Sequence, residues 1–394
     1  MVPEGWDIKP LGSICDVKGG KRLPKGRFLT SKKTPFPYIR VSDMRDGYVD
    51  TSDIRYVPED IAPSISRYTI SSNDLFISVA GTLGVVGRVS QELDGANLTE
   101  NADKLTNICV NKEFLLAVLQ SPLVQKSIEN DKTSNAQPKL ALERIRSFNI
   151  PVPPLPEQRK IAEVLSTWNR AIEMAEALLV TARAQKRALM QSLLTGKRRF
   201  PEFEGQEWRA VRLGDIFRER TDRGDDSLPL LAITGGRGVI PQSETDRRDT
   251  SREDKSSYKQ IHPGDIGYNS MRMWQGVSAL STLAGLVSPA YTIVISGPEI
   301  LPEFAKHLFK LPQKIHLFRR YSQGLTSDTW NLKFKQFADV PSCIPSVKEQ
   351  KKIADVLNDS DMEIKDLEDQ VEKLRTEKKA LMQQLLTGKR RVQV

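Results

Sequence analysis

KRALMQSLLTGKRR at residues 186–199 returns as KKALMQQLLTGKRR at 378–391, identical at 12 of 14 positions and displaced by 192 residues. Agreement of that density marks an internal repeat, and a repeat settles the organisation of the chain before any element is assigned. At the same displacement EQRKIAEVL (157–165) becomes EQKKIADVL (349–357), each approached through prolines in PVPPLP and PSCIPS. A fainter correspondence links Trp6, Leu11, Gly12 and Ile14 to Trp208, Leu213, Gly214 and Ile216. The 394 residues therefore read as one unit written twice: a block at 1–153 with its segment at 154–199, then a block at 200–345 with its segment at 346–394.

The repeated segments have the spacing of long helices. Ile161, Leu165, Trp168, Ile172, Ala175, Leu179, Ala182, Leu189 and Leu193 step by alternating fours and threes, and Lys186 alone interrupts them. Ile353, Leu357, Ser360, Ile364, Leu367, Val371, Leu374, Leu381 and Leu385 keep the same phase, with Lys378 at the matching interruption. A period of 3.5 sustained over several heptads is a coiled-coil seam rather than a lone amphipathic face. Pro156 suits a helix start, and Gly196 and Gly388, each followed by a basic cluster, suit helix ends. A helix over 157–195 extends about 58 Å at 1.5 Å per residue. Each helix adjoins a globular block, and an antiparallel pair would carry one block at each end, so antiparallel packing is expected.

The blocks follow a different grammar. PYIRV (37–41), DLFISVA (74–80) and VVGRV (85–89) are short apolar runs between Gly, Asn and Asp turn signals, as are LPLLAIT (228–234), DIGYNS (265–270) and AYTIVIS (290–296). These predict strands, with helical patches late in each block at 113–129 and 302–319, which is an α+β arrangement. Near-identical helices attached to divergent blocks imply one shared demand on the helices and two separate demands on the blocks.

Chemistry-bearing motifs are scarce. GGKR (19–22) and GGRG (235–238) lack the frame of a phosphate loop, and GTLGVVG (81–87) fits a hairpin better than a dinucleotide fingerprint. The Asn/Asp-Pro-Pro-aromatic motif of amino-methyltransferases is absent, which disfavours a self-contained methyltransferase. His262, His307 and His316 form no ligand set with Cys15, Cys109, Cys343 or any carboxylate pair, so neither a metal site nor a catalytic site is expected. Three scattered cysteines, the lack of any long apolar run and an N-terminal sequence without signal-peptide character predict a cytoplasmic protein without membrane contact.

A net charge of +9 invites nucleic acid, but its distribution matters more than its total. The first repeated segment alone carries 9 basic and 4 acidic residues. Residues 18–33 hold Lys18, Lys21, Arg22, Lys25, Arg27, Lys32 and Lys33 without one acid, a candidate phosphate-contacting stretch. Arg237, Arg247 and Arg248 form a looser counterpart in the second block. Candidates for reading base edges are Arg40 and Ser42, then Ser134, Asn135 and Gln137, and in the second block Asn269, Arg272, Gln275, Gln323 and Thr326. Arg to guanine and Asn or Gln to adenine are the pairings that discriminate bases, although the same residue types also build ordinary turns. A non-catalytic scaffold, whose helices merely join two interaction domains, is the competing reading.

The order of variable block, PEQxxIAxxL helix ending in LLTGKRR, second variable block and second such helix resembles the specificity subunits of type I restriction-modification enzymes. The resemblance covers the whole chain. It implies two target recognition domains, each reading one half of a split DNA site, and two helices packed as an antiparallel coiled coil that sets the gap. It further implies docking of two methyltransferase subunits on the helices, with restriction subunits in the full complex. S-adenosylmethionine, ATP and Mg would belong to those partners and no cofactor to this chain. PYIRVSDM and the later GTLG are similar to the family's recognition-domain pattern, which adds Gly81 and Thr82 to the candidates. The second block has no GTLG, and aligning TSDTW with TSNAQ sets Trp330 opposite Gln137.

Overall fold

The two seams become uninterrupted helices, Leu155–Leu193 and Val347–Leu386. The structure is a computed structural model that describes residues 2–132, 139–225, 227–245, 254–326 and 328–393. It divides into two compact units, one of residues up to 176 together with 369–393, the other of residues 177–368, so each long helix gives one half to each unit.

Within each unit the helix halves run antiparallel. In the first, Ile161, Ala162 and Leu165 share a core with Met382, Leu385 and Leu386, and Arg375 donates to Glu176 at 2.6 Å. In the second, Leu193 and Leu194 share a core with Ile353, Ala354 and Leu357, and Arg183 donates to Glu368 at 2.6 Å. Burial follows the predicted seam: Ala175, Ala182 and Val371 are buried, while Trp168, Ile172, Leu179, Leu189, Ile364, Leu367, Leu374 and Leu381 are half-buried. Lys186, which breaks the seam, pairs with Asp361.

The blocks share a scaffold that their sequences conceal. In the first, strands Asp16–Gly19, Ala102–Thr106, Leu75–Ser78 and Val86–Arg88 form an antiparallel sheet in that spatial order. In the second, Phe217–Glu219, Tyr291–Ser296, Ile266–Asn269 and Ser278–Leu280 repeat the order and the sense. Each expected late helix is two helices, Lys112–Gln120 and Pro122–Lys132, then Pro302–Leu308 and Pro312–Tyr321. Pro122 and Pro312 open the second member of each pair, as proline lacks the N–H that would continue the preceding ladder.

The first strand of each block, Asp7–Pro10 or Arg209–Arg212, pairs antiparallel with the last, Asn149–Val152 or Pro341–Ile344, closing the block where the long helix begins. Beyond this scaffold the blocks differ. The first adds a second four-stranded sheet around Pro37–Ile39 and Ala96–Leu98, whereas the second adds two separate strand pairs, Leu231–Thr234 with Gly238–Pro241 and Lys259–Ile261 with Gly285–Val287. No helix among the described residues is long and apolar enough to cross a membrane.

Candidate nucleic-acid interface

In both blocks two loops meet at one edge of the shared sheet. A hairpin loop joins its last two strands, at 79–85 in the first block and 270–277 in the second. A return loop leads from the late helix pair back toward the long helix. The backbone N–H of Leu140 donates to the Val79 carbonyl at 2.9 Å, and that of Leu332 donates to the Ser270 carbonyl at 2.8 Å. The same stitch thus ties the two loops in each block.

The hairpin loops end alike. Gly84 and Gly276 sit at φ 79° and 76°, and a Cβ there would lie 3.1 Å from Ile128 and 2.8 Å from Ile315 on the second late helix. Glycine meets both demands, the left-handed backbone and the close approach. The second block therefore does have a counterpart of GTLG, namely MRMWQG, although no residue-by-residue likeness announces it.

Four of the expected base-reading groups of the second block, Arg272, Gln275, Gln323 and Thr326, fall on these loops. Arg272 and Gln275 stand exposed on the second hairpin loop, and Asn269, at its base, accepts from the Met271 N–H at 3.0 Å. Gln323 and Thr326 are exposed on the second return loop. The loops also touch through side chains, Trp274 meeting Trp330 edge to face at 5.2 Å. Lys310 sits beneath them, donating to the carbonyls of Gly276 at 2.7 Å and Gly235 at 3.3 Å, and burial brings its pKa down to about 8. Arg237 folds back on Glu244. In the first block Gly81 and Thr82 occupy the hairpin loop, and a Cβ on Gly81 would lie 4.0 Å from Val41, next to Arg40 and Ser42. Ser134, Asn135, Gln137, Arg247 and Arg248 lie outside the described residues.

The acid-free window at 18–33 is less bare in space than in sequence. Lys18 pairs with Asp16, Arg22 with Glu100 and Arg27 with Asp60. Lys25, Lys32 and Lys33 are exposed without an acidic partner among the described residues, and Lys21 lies 5.7 Å from the Tyr68 ring. Arg40 is held by Asp43 at 2.6 Å and Asp53 at 3.2 Å, so its guanidinium arrives already engaged. With Arg22, Arg27, Phe28, Tyr38 and Arg55 it lines a cleft of about 430 Å³. Asp103, buried in the sheet beside Gly19, keeps one carboxylate oxygen without a hydrogen-bond partner, and burial pushes its pKa up to about 6.

A second constellation explains the repeat itself. Arg391, ending the second LLTGKRR, forks onto Glu157 of the first EQ pair, with Nε to Oε2 at 2.9 Å. Arg199, ending the first LLTGKRR, forks onto Glu349 of the second at 2.9 and 2.6 Å. Each copy is closed by the other. The glutamates are 6% and 1% exposed, so the bidentate arginine supplies the compensation that a buried carboxylate requires. Trp6 Nε1 donates a further bond to Glu157 at 3.2 Å.

The neighbouring glutamine binds inward. Gln158 accepts from the Asn111 N–H at 2.8 Å and donates to the Pro153 carbonyl at 2.8 Å. Gln350 accepts from the Leu301 N–H at 2.9 Å and donates to Glu299 and Pro345 carbonyls at 2.8 and 3.0 Å. Asn111 and Leu301 are the N-cap residues of the first late helix in their blocks. Glutamate thus fastens helix to helix and glutamine fastens helix to block.

The described residues contain no His, Cys, Asp and Glu cluster able to hold a metal ion. Residues 3–181, the first block and much of its long helix, match the family described as the type I restriction modification DNA specificity domain. Along most or all of its length the chain is similar to type I restriction-modification specificity subunits. It is 23% identical to the EcoKI specificity subunit of Escherichia coli, over 89% of this chain and 81% of that one. With the putative MjaX specificity subunit of Methanocaldococcus jannaschii it shares 22% identity, over 99% and 95%. The fold matches the S subunit of a type I system from M. genitalium at a TM-score of 0.59, with 16% identity and coverage of 98% and 96%. It also matches a chain from a study of assembly and conformational transition in a type I system at a TM-score of 0.61, with 18% identity and 98% of both chains covered.

Proposed function

We propose that this chain is the non-catalytic DNA-reading subunit of a cytoplasmic type I complex, each block reading one half of a bipartite double-stranded site. The observation that carries the reading is the loop pair, built on the same sheet in both blocks and stitched at the same backbone position, yet furnished with different side chains. A fixed scaffold with exchangeable contact groups suits two unlike half-sites. The paired helices set the gap between halves and dock two modification subunits, which bring S-adenosylmethionine to adenine. Restriction subunits with ATP and Mg complete the assembly.

The test is to co-express the chain with its modification subunit and map methylated adenines by single-molecule sequencing. A split, asymmetric motif is expected. Replacing residues 1–150 with the first block of another family member should rewrite one half and leave the other, whereas a change in both halves would defeat the division of labour.

A further inference from the structure

The second return loop holds a wholly exposed leucine beside a group of close hydrogen bonds. Leu325 keeps none of its side chain out of water. Single exposed apolar residues are common on protein surfaces; the frame around this one is not. Gln323 and Asn331 exchange two backbone hydrogen bonds at 3.0 and 2.8 Å, closing the loop at its base. The N–H groups of Thr329 and Trp330 both donate to the Thr326 carbonyl, at 3.0 and 3.1 Å, and the Thr329 hydroxyl accepts from the Thr326 N–H at 3.1 Å. Gly324 adopts φ 135°, and a Cβ there would stand 2.6 Å from the Thr329 carbonyl oxygen. The Trp330 ring is pinned between Arg319, 4.9 Å from its centroid, and Trp274 at 5.2 Å. These contacts engage described residues on both sides of Leu325 while its own side chain faces solvent.

We propose that Leu325 is a wedge that enters the DNA stack between two adjacent base pairs of the half-site read by the second block. The inference rests on the DNA-reading function proposed above. The occupant follows from the neighbours: Arg272 and Gln275, exposed donors on the adjoining loop, have the chemistry of base-edge and phosphate contacts. Leucine is among the side chains that pry base steps apart, and the cost of unstacking is lowest at pyrimidine–purine steps. Leu325 thereby adds selectivity through the deformability of a step, at a position where no hydrogen bond reads the base.

The experiment uses the full chain in complex with its modification subunits and a duplex bearing the mapped site. 2-Aminopurine is placed in turn at each step of that half, away from the methylated adenine. One position should brighten severalfold on binding. Leu325→Ala should abolish the rise and weaken binding about tenfold, while Leu325→Phe should keep the rise. Unchanged thermal unfolding of the alanine variant confirms that the loss is local. If no position brightens although the complex still prefers the mapped duplex to a scrambled one, the wedge is refuted and the DNA reading stands. If uracil in place of thymine reproduces the effect of Leu325→Ala without any brightening, the leucine contacts a thymine methyl and the wedge is again refuted. Absence of any preference for the mapped duplex would instead overturn the proposed function itself.

Discussion

The hairpin loop of the first block carries AGTLG, small residues around Thr82, whereas the second carries MRMWQG at the same place between the same two strands. Beneath them the strand residues differ as much: Leu75, Phe76 and Ile77 stand where the second block has Ile266, Gly267 and Tyr268. The scaffold survives this exchange because a sheet of short strands asks only for extended backbone and apolar filling, which many side chains provide. The places that do not vary in role are those where backbone must be satisfied or approached closely. Side-chain identity is thus constrained at the joints and free at the loop surface.

Three measurements would break or sharpen that comparison. The largest effect is expected at the glutamine joints. Gln350→Leu strands one N–H and two carbonyls and should cost roughly 3 kcal/mol in urea denaturation, and Gln158→Leu, which strands one of each, roughly 2 kcal/mol. Equal costs would show that the third bond of Gln350 adds nothing, and no cost in either variant would show that the glutamines do not fasten helix to block.

Next come the loop-closing glycines. Alanine at either position should cost about 1–2 kcal/mol from its left-handed backbone alone. Gly276→Ala should exceed Gly84→Ala because its new methyl meets Ile315 at 2.8 Å rather than Ile128 at 3.1 Å. The same urea titration reads the order, and a reversed order would remove the equivalence of the two loops.

The smallest and most diagnostic effect is the pH response, which should differ in sign between the blocks. Asp103, raised from 3.8 to about 6, is protonated in the folded chain where the unfolded chain is already ionised. Its contribution is therefore present below pH 3.8 and lost as pH rises through about 6. Lys310, lowered from 10.5 to about 8, contributes above 10.5 and loses that contribution as pH falls through about 8. Asp103→Asn should flatten the acid slope of the urea midpoint and Lys310→Met part of the alkaline one, where Lys314 also titrates. Slopes unchanged in both variants would place the titration elsewhere.

Much of this was legible in the sequence. The repeat follows from sequence identity, the seam through Ile161 to Leu193 and Ile353 to Leu385 and the late helices from local periodicity, and the antiparallel sense from the block attached to each helix. The common sheet was not legible, because its strands run three to six residues and share burial rather than identity. Nor were the acids that engage Arg22, Arg27 and Arg40, which come from Glu100, Asp60, Asp43 and Asp53 rather than from within the window. The Arg–Glu forks bridge 150 and 234 residues, and no spacing rule reaches that far. Their one trace in the sequence was the repetition of EQ and KRR, which pointed to a shared demand without naming it.

The reciprocal forks also order events in time. As the chain leaves the ribosome, the first block emerges with Glu157 unpaired and its core still lacking Met382, Leu385 and Leu386. The second unit, residues 177–368, has all its parts before the first does. The block made first is thus the block finished last. Until residues 369–393 arrive it exposes an apolar helix face and a Glu157 carboxylate that lacks its arginine, an interval in which exposed apolar surface favours aggregation.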